Sequence, residues 1–202
     1  MNPPQLPPQP RTHRARLDPA AKVLIGLAVV GAIFVGLVIA LRLFGLVRPF
    51  SVPTGGMAPA ISPGDHVMLE SFTFLSRGPR RGDVVCFKTD GISMLPPGQI
   101  YVKRLAGEPG EHLRISDGKL YINDKYVAMS NAAGQISRLL PPPVGVTPLI
   151  TDKSIPNGYY FVLGDNSTNS LDSRFWGCVS RGNILGRIWF CYWPPQRVGK
   201  VK

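Results

Sequence analysis

The sequence predicts a mainly β domain preceded by one N-terminal transmembrane helix. Residues 23–41 form an apolar run without a charged residue, and no long helical periodicity follows it. The chain contains 22 Gly and 21 Pro residues, which separate many short apolar stretches, as is typical of proteins built from strands and turns. We therefore expect a cytoplasmic Pro- and Arg-rich tail over residues 1–20, a membrane anchor over 21–43, and a β-rich domain outside the cytoplasm over 44–202.

The apolar run is long enough to cross a bilayer. About nineteen residues that rise 1.5 Å each reach about 28 Å, close to the thickness of the hydrocarbon core. A cleaved signal peptide is the alternative, but its apolar region is usually shorter, and no cleavage site with small residues follows before Arg42. The sequence therefore favours a retained anchor.

The basic residues that flank the run predict its orientation. They are Arg11, Arg14, Arg16 and Lys22 before the run, and Arg42 and Arg48 after it. Because basic residues stay preferentially on the cytoplasmic side, this excess predicts a cytoplasmic N-terminus, with residues from Phe50 onward on the far side. The first ten residues include five prolines and are expected to be a disordered tail.

The net charge indicates an anionic partner. The chain carries a formal charge of +11 and has an isoelectric point near 10.0, which suits either nucleic acid or an anionic lipid surface. The basic residues are scattered and form no run of five. Next to a membrane anchor, this pattern favours the lipid surface and argues against nucleic-acid binding.

The three cysteines indicate neither a metal site nor a complete set of disulfides. Cys86, Cys178 and Cys191 show no C-x-x-C motif and no spacing typical of metal ligands. A Cys178–Cys191 disulfide is compatible with an oxidising compartment. Apolar neighbours surround all three, so buried free thiols are the preferred interpretation. We expect no metal and no cofactor.

Seven strands are predicted after the anchor, at residues 66–70, 83–87, 100–106, 112–115, 119–122, 159–163 and 184–192. Asp117-Gly118 lies between the fourth and fifth of these and is a favoured hairpin turn. Residues 131–157 lack strand alternation and contain Pro141, Pro142 and Pro143. We interpret this segment as a long Pro-rich surface excursion, either functional or disordered.

Three polar segments are candidates for chemistry. The first contains Pro53, Thr54, Gly55 and Gly56 about a dozen residues after the predicted anchor. Paired glycines make backbone N–H groups accessible, so this loop is a candidate oxyanion site. The alternative is an ordinary loop that leads into the domain.

The second segment contains Lys103 within a predicted strand, at residues 101–104. Alternation puts its side chain on the face opposite Val102 and Arg104. If that face is interior, the pKa of Lys103 falls well below its free value of about 10.4, and the amine becomes a usable general base. The alternative is a solvated lysine, which labelling as an ordinary reactive amine would reveal.

The third segment, residues 164–177, is a polar run that directly follows the strand YYFVL. Asp172 and Arg174 can form an ion pair, and Ser170 can orient a nearby amine. A structural turn held by Asx hydrogen bonds is the alternative.

Together, the three segments resemble the sequence motifs of the type I signal peptidases, which are membrane-bound serine–lysine endopeptidases. The nucleophile motif is matched by PTGGM at 53–57 with Pro59 and Gly64-Asp65. The general-base motif is matched by YVKR at 101–104 and GEPG at 107–110, and the last motif by GDN at 164–166, S-x-DSR at 170–174 and WG at 176–177. The resemblance covers nearly the whole chain.

The resemblance implies a role for each matched residue. Lys103 corresponds to the general base, and Ser170 to the residue that orients its amine. Thr54 corresponds to a hydroxyl group of the oxyanion hole, beside the backbone N–H of Gly56. The remaining residues correspond to supporting positions, with Asp172 and Arg174 as an ion pair beneath the site: Asp172, Arg174, Asp165, Asn166, Met57 and Tyr101.

The resemblance also implies a fold and a substrate. We expect twisted antiparallel sheets, a groove for small side chains beside the membrane, and signal peptides of exported preproteins as partners. The expected location is the outer side of a bacterial-type inner membrane.

The sequence departs from the family at the nucleophile, because Gly56 stands where the family has serine. Three explanations are open. The chain is a silent relative that binds signal-peptide-like segments, or it is active through another hydroxyl, or the serine was deliberately replaced. Thr54 is the nearest substitute, ahead of Ser51 and Ser170, although its oxygen would be displaced by about 6–7 Å.

Overall fold

The computed structural model of the chain describes residues 18–131, 134–136 and 150–201. The described chain divides between Leu41 and Arg42 into two units. Residues 1–17, which include the predicted disordered tail, and Pro141, Pro142 and Pro143 of the predicted excursion lie outside the described residues.

The first unit is helical. Helix α1 spans Pro19–Leu43 and is, within the described residues, the one helix long and apolar enough to cross a membrane. None of its residues is buried. A helix that is apolar on all sides suits a lipid environment, because no face is left for water.

The second unit contains an eight-stranded antiparallel sheet in the order β1-β2-β13-β3-β4-β11-β12, with β14 paired to β13. Its strands are β1 Val47–Ser51, β2 His66–Glu70, β3 Val84–Lys88, β4 Ile100–Gly107, β11 Tyr159–Leu163, β12 Val179–Ser180, β13 Ile184–Trp193 and β14 Gly199–Lys200.

A smaller antiparallel sheet has the order β10-β5-β6-β7. Its strands are β5 His112–Ser116, β6 Lys119–Ile122, β7 Lys125–Val127 and β10 Asp152–Ser154, and a separate pair consists of β8 Met129–Asn131 and β9 Gly134–Ile136. Asp117 and Gly118 connect β5 to β6 with φ values of 51° and 71°. Two positive φ angles match the predicted tight hairpin turn.

The helical segments described in the second unit are short. They are the α-helices α2 Thr73–Ser76 and α3 Ser173–Trp176 and single 3₁₀ turns at Ser167–Asn169, Arg181–Asn183 and Pro195–Arg197. Asp172 caps α3, because its side chain accepts a hydrogen bond from the backbone N–H of Arg174.

Three apolar clusters form the core, and the central strands contribute to more than one. In β11, Val162 packs in a cluster with Phe87 and Trp176, whereas Phe161 packs in a second cluster with residues of the smaller sheet. The third cluster contains Met57 and lies beneath the loop that follows β1. Burial on both faces explains why β11 is continuously apolar in sequence.

The predicted fold class is confirmed: the domain is mainly β, and every strand pair among its described residues is antiparallel. Each of the seven predicted strands exists, with ends within one residue of the prediction. Cys86 and Cys191 are buried free thiols, in agreement with the preferred interpretation, whereas Cys178 is a free thiol that is only half-buried.

The prediction of a surface excursion over 131–157 is wrong at its C-terminal end. Strand β10 pairs with β5, and Ile155 is only 2% exposed within the second cluster. The strand was missed because Asp152, Lys153 and Ser154 are polar and show no apolar pattern. Backbone pairing with β5 holds them in the sheet.

Candidate active site

The loop after β1 is held firmly on the third cluster. Its ends are joined by hydrogen bonds from the Val52 N–H to the Asp65 carbonyl and from the Gly64 N–H to the Val52 carbonyl, both 2.9 Å long. Met57 is 2% exposed and anchors the middle of the loop. The loop therefore presents Gly56 from a fixed base.

The same loop is bound to the segment that follows β11. The Gly56 carbonyl accepts a hydrogen bond from the Asn166 N–H at 3.1 Å, and the Asn166 side chain donates to the Gly55 carbonyl at 3.2 Å. A Cβ on Gly164 would lie 2.6 Å from the Gly56 carbonyl oxygen and 2.1 Å from Ser170 Oγ. Only glycine fits at 164, and this close approach brings the first and third sequence motifs together.

Strand β4 brings the second motif to the same place. Lys103 pairs with Val85 of β3, whose side chain lies in the first cluster, so the two face the same side of the sheet. Lys103 is 7% exposed, so of the two alternatives its side chain lies on the interior face. Its Nζ donates a hydrogen bond of 2.9 Å to Ser170 Oγ.

The environment of Lys103 favours its neutral form. Burial lowers the pKa of its amine from the ordinary 10.5, since the charged form loses its hydration. The carboxylates of Asp172 and Asp165 oppose this change, and the charge of Arg174 adds to it. A lysine with a lowered pKa holds a free lone pair in a larger fraction of molecules at neutral pH, as a general base requires.

Position 56 lies directly against this amine. A Cβ on Gly56 would be 3.2 Å from Lys103 Nζ, 3.3 Å from the Asn169 carbonyl oxygen and 3.8 Å from Ser170 Oγ. Gly56 does not have a positive φ, so the backbone accepts an L-amino acid there. A serine would fit with small shifts, and its hydroxyl would come within hydrogen-bond reach of Lys103.

Two buried ion pairs lie beside the site. Arg174 binds both carboxylate oxygens of Asp172, at 2.8 and 2.9 Å, and also the backbone carbonyl of Ser167 at 2.9 Å. Arg104 binds both oxygens of Asp165 at 2.7 Å. Asp172 also accepts a hydrogen bond from the Gly164 N–H, so the pair fixes the segment between β11 and α3.

An open groove of about 870 Å³ runs past these groups. Its walls include Thr54, Gly56, Lys103 and Ser170, and also the buried Cys86. The groove offers space for an extended peptide whose backbone would pass the Lys103 amine.

The predicted site residues fall into two groups. Gly56, Lys103 and Ser170 meet at the groove, whereas Thr54 is exposed on its wall. The others surround this centre: Tyr101 lines the groove beside Lys103, Met57 and Asn166 hold the loop, and Asp165, Asp172 and Arg174 form the ion pairs.

Three contributors to the site were not predicted. Gly164 allows the close approach of two segments, Arg104 pairs with Asp165, and Asn169 directs its carbonyl oxygen towards position 56. Gly164 and Arg104 lie inside the recognised motifs, but their roles depend on partners about 60 to 110 residues away. Within the described part of the chain, no three His, Cys, Asp or Glu side chains are grouped as metal ligands would be.

Comparison with known proteins identifies the family. Residues 24–193 match the family described as "Signal peptidase, peptidase S26". The chain is 34% identical to the probable signal peptidase I-2 of Synechocystis sp. over 73% of its own length and 64% of the relative. It is also 34% identical to thylakoidal processing peptidase 1 of Arabidopsis thaliana, over 76% of this chain and 44% of that protein.

A third relative matches along almost the whole length of both proteins. The signal peptidase I of Leptolyngbya laminosa is 30% identical over 98% of this chain and 93% of that protein. The chain thus spans about two thirds or less of the first two relatives and nearly all of the third. Since the family match covers most of the chain and includes all three segments of the site, the chain belongs to the signal peptidase family, peptidase S26.

Proposed function

We propose that this chain is a membrane-anchored endopeptidase that removes signal peptides from exported preproteins by a hydroxyl–lysine mechanism. One observation carries this proposal. The almost fully buried Lys103 side chain lines an open groove, where its amine lies 2.9 Å from the Ser170 hydroxyl and next to position 56. A structural lysine would gain nothing from this arrangement, because burying an amine costs free energy.

Each group has a role in this proposal. Neutral Lys103 accepts the proton of an attacking hydroxyl and then returns it to the leaving amine. The Thr54 hydroxyl and the Gly56 N–H stabilise the negative charge on the carbonyl oxygen. Ser170 orients the amine, and the ion pair of Asp172 and Arg174 holds Ser170 in place.

The membrane topology is also part of the proposal. Helix α1 crosses a bacterial-type plasma membrane with its N-terminus in the cytoplasm, because more basic residues precede the apolar run than follow it. The β domain then meets preproteins on the outer side, next to the lipid surface. Small side chains before the cleaved bond would enter the groove.

A non-catalytic binder is the second candidate, and Gly56 is the observation that favours it. Removing the nucleophile of a serine protease costs on the order of 10⁶ in turnover. A chain that keeps the groove but lacks the attacking group would hold signal-peptide-like segments without cutting them.

Restoring a serine at position 56 tests both candidates. We expect the purified full chain in detergent to cleave a preprotein with an Ala-x-Ala site slowly, and Gly56→Ser to cleave it at least about 10²-fold faster, since the hydroxyl would adjoin Lys103. Gly56→Ala is the matched control, because it adds the same Cβ without a hydroxyl. Cleavage is measured by gel mobility and by N-terminal sequencing of the product.

The outcomes separate the candidates. Cleavage by Gly56→Ser alone would identify the unmodified chain as a binder on an intact scaffold. Failure of Gly56→Ser to cleave, with the fold retained, would contradict the signal peptidase proposal.

A further inference from the structure

We propose that Ser170 is the nucleophile of this chain and forms the acyl-enzyme in place of the missing serine at position 56. The inference rests on the proposed peptidase function and names the hydroxyl that carries it out. Ser170 would then do more than orient the lysine.

Ser170 already forms the hydroxyl–amine pair that the reaction needs. Its Oγ lies 2.9 Å from Lys103 Nζ, within the range for proton transfer from a nucleophile to its base. Both side chains are almost fully buried, at 4% and 7% exposure, and both line the groove. Once Lys103 is neutral, the hydrogen bond can reverse, so that the hydroxyl donates to the amine.

Glycine at position 56 leaves room for a substrate to approach Ser170. The Cβ of any larger residue there would stand 3.8 Å from Ser170 Oγ and 3.2 Å from Lys103 Nζ. With glycine this volume stays free, so a substrate in the groove meets no side chain of residue 56 on its way towards Ser170 Oγ. Glycine at position 56 therefore removes the family's serine hydroxyl and at the same time leaves more room in front of Ser170.

Ser170 is also held in a fixed position. Its Oγ packs directly on Gly164, where even a Cβ would come within 2.1 Å, and its carbonyl accepts a hydrogen bond from Arg174. A nucleophile needs such support, because a displacement of about 1 Å can cost about 10²-fold in rate.

The other candidate nucleophiles fit less well. Lys103 Nζ is the base that accepts the proton of Ser170, and Thr54 lies two residues before position 56, a displacement of about 6–7 Å in extended chain. Burial raises the pKa of the Cys86 thiol to about 12, so this thiol stays protonated and weakly nucleophilic.

The proposed steps balance. Lys103 Nζ takes the proton of the Ser170 hydroxyl as Oγ bonds to the scissile carbonyl carbon. The resulting ammonium gives this proton to the leaving amine nitrogen as the C–N bond breaks, which leaves an ester on Ser170. Water then attacks the ester while Lys103 accepts one of its protons. That proton passes to Ser170 Oγ as the C–O bond breaks and the acid leaves.

Acylation by an activated ester tests the proposal without a preprotein. The full chain in detergent is mixed with a p-nitrophenyl ester of a peptide ending in Ala-x-Ala, quenched in acid and digested with trypsin. The digest separates the candidates: Ser170 lies in peptide 154–174 and Thr54 in peptide 43–77, while an acylated Lys103 blocks cleavage and yields peptide 89–104.

We expect the acyl group on Ser170 of the unmodified chain, with a burst of p-nitrophenol. Ser170→Ala should reduce this acylation by at least about 10²-fold, whereas Ser116→Ala, which alters a serine of the β5–β6 hairpin, should leave it unchanged. Ser170→Cys keeps a nucleophile and should carry a thioester that neutral hydroxylamine removes, which provides a readout if Ser170→Ala folds poorly.

Acyl group found in peptide 43–77 or on Lys103, or no acylation of the unmodified chain, would overturn the proposal. Cleavage of a preprotein by Gly56→Ser is measured separately. If that variant cleaves while the unmodified chain takes no acyl group, the peptidase function stands and the role of Ser170 falls.

Discussion

At the scale of single residues, the site depends on one amine kept away from water. Lys103 gains a hydrogen bond from its position but loses most of its hydration. The nearby charges partly compensate, since Asp172 and Asp165 favour the protonated form and Arg174 disfavours it. Burial has the largest effect on the pKa of Lys103, so the surroundings of the amine favour its neutral form.

The pH dependence of cleavage follows from this lowered pKa. Because only neutral Lys103 can accept a proton, the cleavage rate of the Gly56→Ser variant should rise about tenfold per pH unit and level off at a pH below 10.5. A pH profile of kcat/KM measures this. Lys103→Arg stays charged and should be inactive throughout, and a rate that still rises up to pH 10.5 would contradict an activated lysine.

The same lowered pKa affects stability. Between the folded and unfolded pKa values the unfolded state binds more protons, so the stability of the folded chain should rise with pH up to about 10.5. Lys103→Met lacks this contribution. The difference between the two unfolding midpoints, followed by tryptophan fluorescence, should therefore change with pH, and a constant difference would argue for a solvated lysine.

The buried Asp172–Arg174 pair should contribute more to the free energy of unfolding than an exposed ion pair does. Asp172→Ala leaves the buried Arg174 guanidinium without its carboxylate, which should lower the free energy of unfolding by about 3–5 kcal/mol. Asp152→Ala is the matched control, since this carboxylate is 58% exposed in its pair with His112 and its loss should cost no more than about 1 kcal/mol. Equal losses in denaturant titrations would refute a structural role for the buried pair.

At the scale of elements, the site depends on the contact between the loop after β1 and the end of β11. This contact closes at Gly164, against both Ser170 Oγ and the Gly56 carbonyl. The loop and the segment after β11 are more than a hundred residues apart in sequence, and strands β4 and β11 of one sheet carry the lysine and this segment to the same place.

Gly164→Ala should disturb this contact. A new Cβ would overlap Ser170 and the loop backbone, which should cost about 1–3 kcal/mol of stability and slow Gly56→Ser cleavage by about 10²-fold or more. Gly199→Ala is the control, because nothing lies within 4 Å of its added Cβ. Denaturation midpoints and cleavage rates of the two variants provide the comparison, and equal effects would show that Gly164 is not a special position.

The elements also show what a sequence can predict. Apolar strands such as β11 and the Asp117-Gly118 turn carry local signals, so they were predicted correctly. Strands β10 and β12 have three and two residues, too few for any alternation, and form because a neighbouring strand offers free backbone groups.

The candidate site was predictable only in part, for a related reason. The motifs indicated Lys103, Ser170 and Gly56, but their positions in the sequence did not show that the three residues are in contact in the fold. Lys103 and Ser170 are 67 positions apart, and Gly56 and Ser170 are more than a hundred apart. The packing of Gly164 and the pairing of Arg104 with Asp165 also depend on the folded sheet.

At the scale of the whole molecule, helix and domain differ in the solvent that each suits. The helix exposes apolar side chains along its full length, whereas the domain buries an apolar core and carries ion pairs. A position of the helix in lipid and of the domain in water would suit the surface of each.

The orientation of the whole chain should depend on the basic residues before the helix. With alkaline phosphatase fused after Lys202, a bacterial host should show phosphatase activity, because the enzyme needs disulfides that form outside the cytoplasm. Neutral residues at Arg11, Arg14, Arg16 and Lys22 leave only Arg42 and Arg48 near the span. This should invert the chain and abolish most of the activity.

The matched control neutralises four basic residues of the smaller sheet: Arg114, Lys119, Lys125 and Lys153. It removes the same charge far from the span, so orientation should not change, because only basic residues close to the ends of a span direct it. Equal activity of both variants, at equal expression, would show that charge does not set the topology, and an inactive fusion of the unmodified chain would place the groove on the cytoplasmic side.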